Sequence, residues 1–301
     1  MAFETPILLL VFNRPDLTKN ILSILSRIQP SKLYIVADGP REGIENEKER
    51  CDEVKLICDE ISWESRVKRL YRKENLGCAY SVSEGITWFF EQEEMGIILE
   101  DDCVPHDSFF QFCEVLLFKY RDDENLFHIG GNNFNFSKSY GDGDYYLSIF
   151  NHIWGWATWR RAWKYYTINI DLKHISQMTS FVGNKDILNY FETHFENAVT
   201  GKIDTWDYQW TFACWKNHGL SIVPNKNLVS NIGFGDDATH TKNTTSPQNS
   251  VPTQSIYFPL NHPTSMKANR RADLSSFRKI FQKKRTLRHH LGTFRNRYFK
   301  F

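Results

Sequence analysis

The sequence predicts an α/β protein built on a doubly wound, mostly parallel sheet, and three observations predict it. Short apolar runs alternate with amphipathic segments of helical period, the runs end on polar residues, and one of them, Gly96-Ile97-Ile98-Leu99, stops on three carboxylates, Glu100-Asp101-Asp102. Runs of this length read as strands buried on both faces, and ligands of open α/β sheets sit beyond the strands' carboxyl ends. Three acids at that spot repel one another unless a cation neutralises them, and hard oxygen ligands suit Mg²⁺, Mn²⁺ or Ca²⁺ rather than Zn²⁺. A solvated acidic turn is the competing explanation.

In chain order, a strand is expected over residues 6–12. The turn Asn13-Arg14-Pro15-Asp16 follows, then a helix over residues 16–28, with Leu17, Ile21, Ile24, Leu25 and Ile28 at helical spacing. A second strand over residues 33–37 ends at Asp38-Gly39-Pro40 and completes a βαβ unit. A polar helix near residues 44–61 leads to a third strand over residues 67–71. Arg72-Lys73-Glu74-Asn75-Leu76-Gly77 comes next, and a helix near residues 78–91 delivers the chain to the acidic triplet. The strand ends thus bring Asn13, Arg14, Asp38, Arg72 and the triplet to one edge.

Further on, a helix is expected over residues 109–120, a Gly/Asn loop at Gly130-Gly131-Asn132-Asn133, and a strand over residues 145–150. Helices near residues 186–197 and 206–217, a strand over residues 220–223 and a polar loop over residues 231–245 complete the body. The most aromatic segment runs from Trp154 to Trp163. Its Trp159 and Trp163, four apart, suggest a helix face turned to the core. Trp154-Gly155-Trp156 and the Asn132/Asn133 loop are expected to line a cleft. Nine Trp, thirteen Tyr and twenty-three Phe in 301 residues suit a sugar-handling cleft, although aromatic residues also simply fill cores.

Composition narrows the class. No GxGxxG follows the first strand and no Walker sequence occurs, which argues against dinucleotide oxidoreductases and P-loop enzymes. Six cysteines without a CxxC pair, set in apolar segments, read as small buried hydrophobes in a reducing compartment. Together with an N-terminus lacking the basic start of a signal peptide, this predicts a cytoplasmic protein. The net charge of +1 hides a segregation: twelve Lys/Arg and one acid follow residue 266, which leaves 25 basic and 35 acidic residues before it.

Five elements in order, Val11-Phe12-Asn13-Arg14, Ala37-Asp38-Gly39, Glu100-Asp101-Asp102, Trp206-Asp207 and the loop Gly233-Phe234-Gly235 to His240, resemble the GT-A-type nucleotide-sugar glycosyltransferases. The likeness is nearest to the group typified by N-acetylglucosaminyltransferase I and runs from about Thr5 to Thr241. It implies a GT-A domain over residues 1–265, followed by a basic extension over residues 266–301. It also implies an inverting transferase with a UDP-sugar donor and Mn²⁺ or Mg²⁺. Carried over, Asn13 and Arg14 contact the donor nucleotide, Asp38 accepts from the uracil, and Asp102 ligates the metal. Glu100 and Asp101 contact donor sugar and ribose, and Trp156 belongs to the donor cleft. His240, in a loop able to close over UDP, touches the diphosphate or the metal. The catalytic base lies in Ile203–Trp210, with Asp207 favoured and Asp204 as the alternative; one of the two is expected to cap the helix. The family's nucleotide-contacting His has no counterpart. Arg72-Lys73-Glu74-Asn75 stands in its place, and Asn75-Leu76-Gly77 resembles the Asn-x-Gly turn of other GT-A enzymes, making Arg72 and Asn75 donor-site candidates.

Phe277, Ile280, Phe281, Lys284, Leu287, Leu291, Phe294 and Tyr298 share one helical stripe among cations. Such a helix reads as lying on an anionic membrane surface, peripheral on its inner face, beside a glycan or lipid-linked acceptor of surface polysaccharide synthesis. Packing on the acidic body is the alternative; nucleic-acid binding lacks a recognition module. Two other functions compete: a sugar nucleotidyltransferase, disfavoured by the missing Gly-rich phosphate loop, and a non-catalytic glycan-binding module.

Overall fold

The computed structural model describes residues 3–136, 138–234 and 248–282. Its first half is a run of βαβ units: β1 (Ile7–Val11), α1 (Pro15–Ile28), β2 (Lys32–Ala37), α2 (Glu47–Asp59), β3 (Arg66–Tyr71), α3 (Gly77–Phe90) and β4 (Met95–Glu100). These strands lie parallel in the order β3-β2-β1-β4. All five residues of β1 are buried, as expected of a strand covered on both faces. Its side chains alternate: Ile7, Leu9 and Val11 join the core under α1 and α4 (Asp107–Lys119), while Leu8 and Leu10 join the core under α3. At about 1.5–3 kcal/mol per fully buried aliphatic side chain, such a strand is fixed in register.

Beyond β4 come β5 (Cys103–Pro105), then α4, β6 (Leu126–Gly130), β7 (Tyr145–Ser148), β8 (Trp156–Trp159), α5 (Arg160–Trp163) and a 3-10 stretch at Leu172–Met178. α6 (Thr179–Val182), α7 (Lys185–Val199), α8 (Asp207–Lys216), β9 (Leu220–Pro224), β10 (Val229–Asn231) and α9 (Arg270–Ile280) complete the described elements. The eight-stranded sheet runs β3-β2-β1-β4-β8-β6-β9-β7, and four of its seven pairings are parallel. The expected doubly wound α/β class is found. The second half is mixed, because β8 enters antiparallel between β4 and β6.

One local expectation changes. Trp159 closes β8 instead of sitting on a helix with Trp163, and only one helical turn follows it. Cross-strand pairing of Met95 with Trp159 and Ile98 with Trp156 outweighs the helical spacing of the tryptophans. All six cysteines are unpaired; five are buried and Cys78 is half-buried. No helix among the described residues is long and apolar enough to cross a membrane.

α9 belongs to the folded body. Asn269 caps its start by accepting from Ala272 N at 3.1 Å, and Lys279 Nζ donates to Asn135 O at 2.8 Å. Phe277 is buried, and Phe281 packs against Phe150, Tyr190 and Phe191. The described part of the amphipathic stripe therefore faces inward; Lys284 to Tyr298 lie outside the described residues.

Candidate active site

Two cavities open at the carboxyl edge of β1, β2 and β4 and share Arg14, Cys78 and Glu100 in their walls. The smaller, of about 160 Å³, is bounded by Phe12-Asn13-Arg14, Asp38, Arg41, Asn75, Gly77, Asp101 and Asp204. The larger, of about 480 Å³, takes Asp102, Trp154, His194, Asp207, Tyr208, Asn231 and Gly233, with Ile280 and Phe281 at the end of α9.

The junction is built on the acidic triplet. Arg14 Nε donates to Asp101 Oδ2 at 3.2 Å, its Nη2 bonds Asp101 Oδ1, and its Nη1 lies 3.1 Å from Asp102 Oδ2. Burial works against the guanidinium charge, but Asp101, Asp102 and Glu100 outweigh it, so Arg14 holds its proton more tightly than usual. Burial pushes the Glu100 and Asp101 carboxyls upward. For Glu100 the neighbouring acids add to it; for Asp101 the Arg14 charge opposes it.

Asp102 is positioned by chain far away in sequence. β5 and β10 form a two-stranded antiparallel ribbon that pairs Cys103 with Asn231. Asn231 Nδ2 donates to Asp102 Oδ1 at 2.8 Å, and Ile232 N to the Asp102 carbonyl at 3.0 Å. Gly233 passes so close that a Cβ there would collide with the Asp102 carboxylate, so this position requires glycine. Sequence reasoning gave Asn231 no role, since nothing in its spacing signals a partner 129 residues away.

A divalent cation fits this chemistry in part. Among the described residues no three His, Cys, Asp or Glu side chains form a ready cage. Three carboxylates face one guanidinium, however, and Asp102 and Glu100 both reach the larger cavity. An oxygen-only site with one or two carboxylates, completed by phosphate oxygens and water, is how Mg²⁺ is commonly held.

Around the smaller cavity the polar groups satisfy one another. Asp38 accepts from Gly39 N (2.9 Å), Leu76 N (3.1 Å) and Asn75 Nδ2 (3.0 Å), while Asn75 Oδ1 accepts from Gly77 N (3.1 Å). Burial raises the Asp38 carboxyl against these hydrogen bonds. Asn13 Nδ2 donates to the buried Glu47 at 2.8 Å, and Glu47 also takes Arg41 N at 2.7 Å and the Arg41 guanidinium. The Arg41 side chain is the main cause of the Glu47 carboxyl being held down to about 2.

The two candidate bases separate. Asp204 accepts from Cys78 N (2.8 Å) and Ala79 N (2.9 Å), so it caps α3 across the cavity instead of its own helix. Asp207 opens α8 in the wall of the larger cavity and accepts from the Thr205 hydroxyl.

Three expected site elements are displaced. Trp156 is fully buried, stacked at 5.5 Å on Trp206 and 4.9 Å on His128, and is core instead of cleft wall. Strand alternation turns its ring inward, and Trp154 meets the cavity in its place. Asn132 and Asn133 are likewise buried; Asn133 Nδ2 donates to Pro224 O at 2.7 Å. Arg72 lies outside both cavity walls and pairs with Glu84 of α3 at 3.0 Å. His240 falls outside the described residues.

No family model matches this chain, and no curated protein matches it. Among solved structures the chain is similar to UDP-glucose pyrophosphorylase complexed with UDP-glucose, at 8% identity and a TM-score of 0.35, over 73% of this chain and 90% of that one.

Proposed function

We propose that this chain is an inverting glycosyltransferase, moving a sugar from a nucleotide-diphosphate donor of the UDP-sugar kind to a hydroxyl of a glycan or lipid-linked acceptor. The observation that supports it is the pair of unequal cavities meeting at Arg14 and Glu100. A donor with a heterocycle at one end and a sugar at the other sets its diphosphate at that junction. In this reading the nucleoside enters the smaller cavity. Asp38, nearly filled as an acceptor, shapes the base pocket by holding Asn75 and Leu76.

Asp102 and Glu100 would hold Mn²⁺ or Mg²⁺, which when bound stabilises the negative charge left on the departing diphosphate. Arg14 adds a fixed positive charge beside the same oxygens. Asp207 takes the proton of the attacking hydroxyl as that oxygen bonds to the anomeric carbon and the carbon–diphosphate bond breaks. Its engagement by Thr205 aims the carboxylate from the start of α8 into the larger cavity. Asp204, committed to α3, is the weaker candidate. Surface-glycan assembly with the basic residues after 282 on an anionic membrane is part of the same proposal.

A thermal-shift panel of nucleotide sugars with Mn²⁺ tests the reading. A ligand at a hundred times its dissociation constant stabilises by about 2.7 kcal/mol, and UDP-sugar hydrolysis lost in Asp102→Ala is the expected companion result. Pyrophosphate release from UTP and a sugar phosphate would instead identify a nucleotidyltransferase. Glycan binding without turnover would identify a binding module.

A further inference from the structure

The α7–α8 wall of the larger cavity carries polar groups that donor binding does not use. His194, half-buried on α7, has Nδ1 2.8 Å from the Tyr190 carbonyl oxygen. A carbonyl oxygen only accepts, so Nδ1 carries the hydrogen, and in the neutral ring Nε2 keeps a lone pair. Tyr190 stacks on the ring at 4.1 Å and Tyr208 flanks it at 5.0 Å, which fixes the imidazole plane. Among the described residues no hydrogen bond reaches Nε2.

A second group of the same cavity, on the chain that follows β7, has an atom without a partner. Asn151 is 8% exposed, and its Oδ1 accepts from Thr211 Oγ1 at 2.9 Å while its Nδ2 has no partner. Thr211 lies one helical turn beyond Asp207 on α8. An acceptor nitrogen and an amide donor therefore line the same cavity as Asp207, together with Phe191 and Phe281. Such a wall suits a pyranose ring, whose hydroxyls both donate and accept and whose C–H face packs on aromatic rings.

We propose that His194 and Asn151 form the acceptor subsite and that it takes a hexose ring, one hydroxyl donating to His194 Nε2 and another ring oxygen accepting from Asn151 Nδ2. The proposal rests on the transferase reading of the cavity. His194 is here a specificity-determining residue, and Asp207 remains the base.

The test titrates the methyl β-glycosides of glucose, galactose and N-acetylglucosamine onto the full chain saturated with UDP and Mn²⁺, followed by saturation-transfer NMR. His194→Phe keeps the ring stack and loses Nε2, and should weaken the best-bound glycoside at least tenfold. His194→Gln, which restores an acceptor oxygen, should recover most of the loss, with UDP affinity equal in all three proteins. If His194→Phe does not fold, Asn151→Ala reads the same subsite from the other side with the same expected weakening. The proposal is overturned if His194→Phe binds glycosides as the parent chain does, if the Gln variant is as weak as the Phe variant, or if the parent chain binds none of them. Those results with UDP still bound leave the transferase reading standing. Failure to bind UDP at all removes both.

Discussion

In the smaller cavity nearly every polar side chain is bonded to another: Asp38 to Asn75 and Leu76, Asn13 and Arg41 to Glu47, Arg14 to Asp101, Asp204 to the start of α3. The larger cavity differs. Phe134, Phe150, Trp154 and Phe191 line much of it, and its Asn151 Nδ2 has no partner. A wall whose groups hold one another costs little to organise when a ligand arrives, and it accepts one shape. Aromatic surfaces with spare donors and acceptors accommodate several. The contrast suits a molecule that holds one half of its ligand constant and lets the other vary.

The largest expected effect separates the two aspartates. Asp207→Asn should lower UDP-sugar turnover about 10²–10⁴-fold with UDP-dependent stabilisation unchanged; full activity in that variant would move the base elsewhere. Next comes Trp156→Ala, expected to cost about 3–5 kcal/mol in urea unfolding because a fully buried indole leaves a cavity. A stability loss under 1 kcal/mol would mean that the ring is not core. Asp38→Ala should cost about 1–3 kcal/mol by stranding the Gly39 and Leu76 N–H groups, and should weaken UDP binding. If UDP binding survives intact, the smaller cavity is not the nucleoside site. Asp204→Ala should lose about 1 kcal/mol, as a helix cap does, and keep turnover.

The smallest effect is a difference in pH response. His128 is buried with Nε2 2.9 Å from His152 O and Nδ1 accepting from Trp210 Nε1 at 3.3 Å, and burial pushes its ring down to about 3. The unfolded chain takes up that proton near pH 6.5 and the folded chain does not. Stability is therefore lost as pH falls from about 6.5 toward 3, by roughly 0.8 kcal/mol at pH 6. Glu100 and Asp101 act oppositely: with carboxyls raised by burial, their contribution is present below the unfolded values and lost as pH rises through the folded ones. His128→Gln should flatten the urea midpoint between pH 6.5 and 5; an unchanged slope there would assign the acid sensitivity to other groups.

Much of the first half was legible because its signals are local. The strand at Ile7–Val11 and the helix at Pro15–Ile28 follow from runs and periodicity within a few residues, and Glu100-Asp101-Asp102 stands at the end of β4 as the pattern requires. The second half was harder. Trp159 and Trp163 fit a helix stripe by their spacing, and only the pairing of Trp159 with Met95 places Trp159 in a strand instead.

By itself the sequence determined which segments are strands and helices in the βαβ half, and that acids and Arg14 gather at the sheet's carboxyl edge. Alternation of period 2 or 3.6 and the end of an apolar run are written in consecutive residues. The tertiary structure alone decided which polar residues share a cavity. Asn231 and Gly233 reach Asp102 through the β5–β10 ribbon, Asp204 turns away to cap α3, and Trp156 turns inward beside His128. Each of these depends on contacts between segments dozens to more than a hundred residues apart, where packing and backbone pairing, not local propensity, fix what a side chain meets.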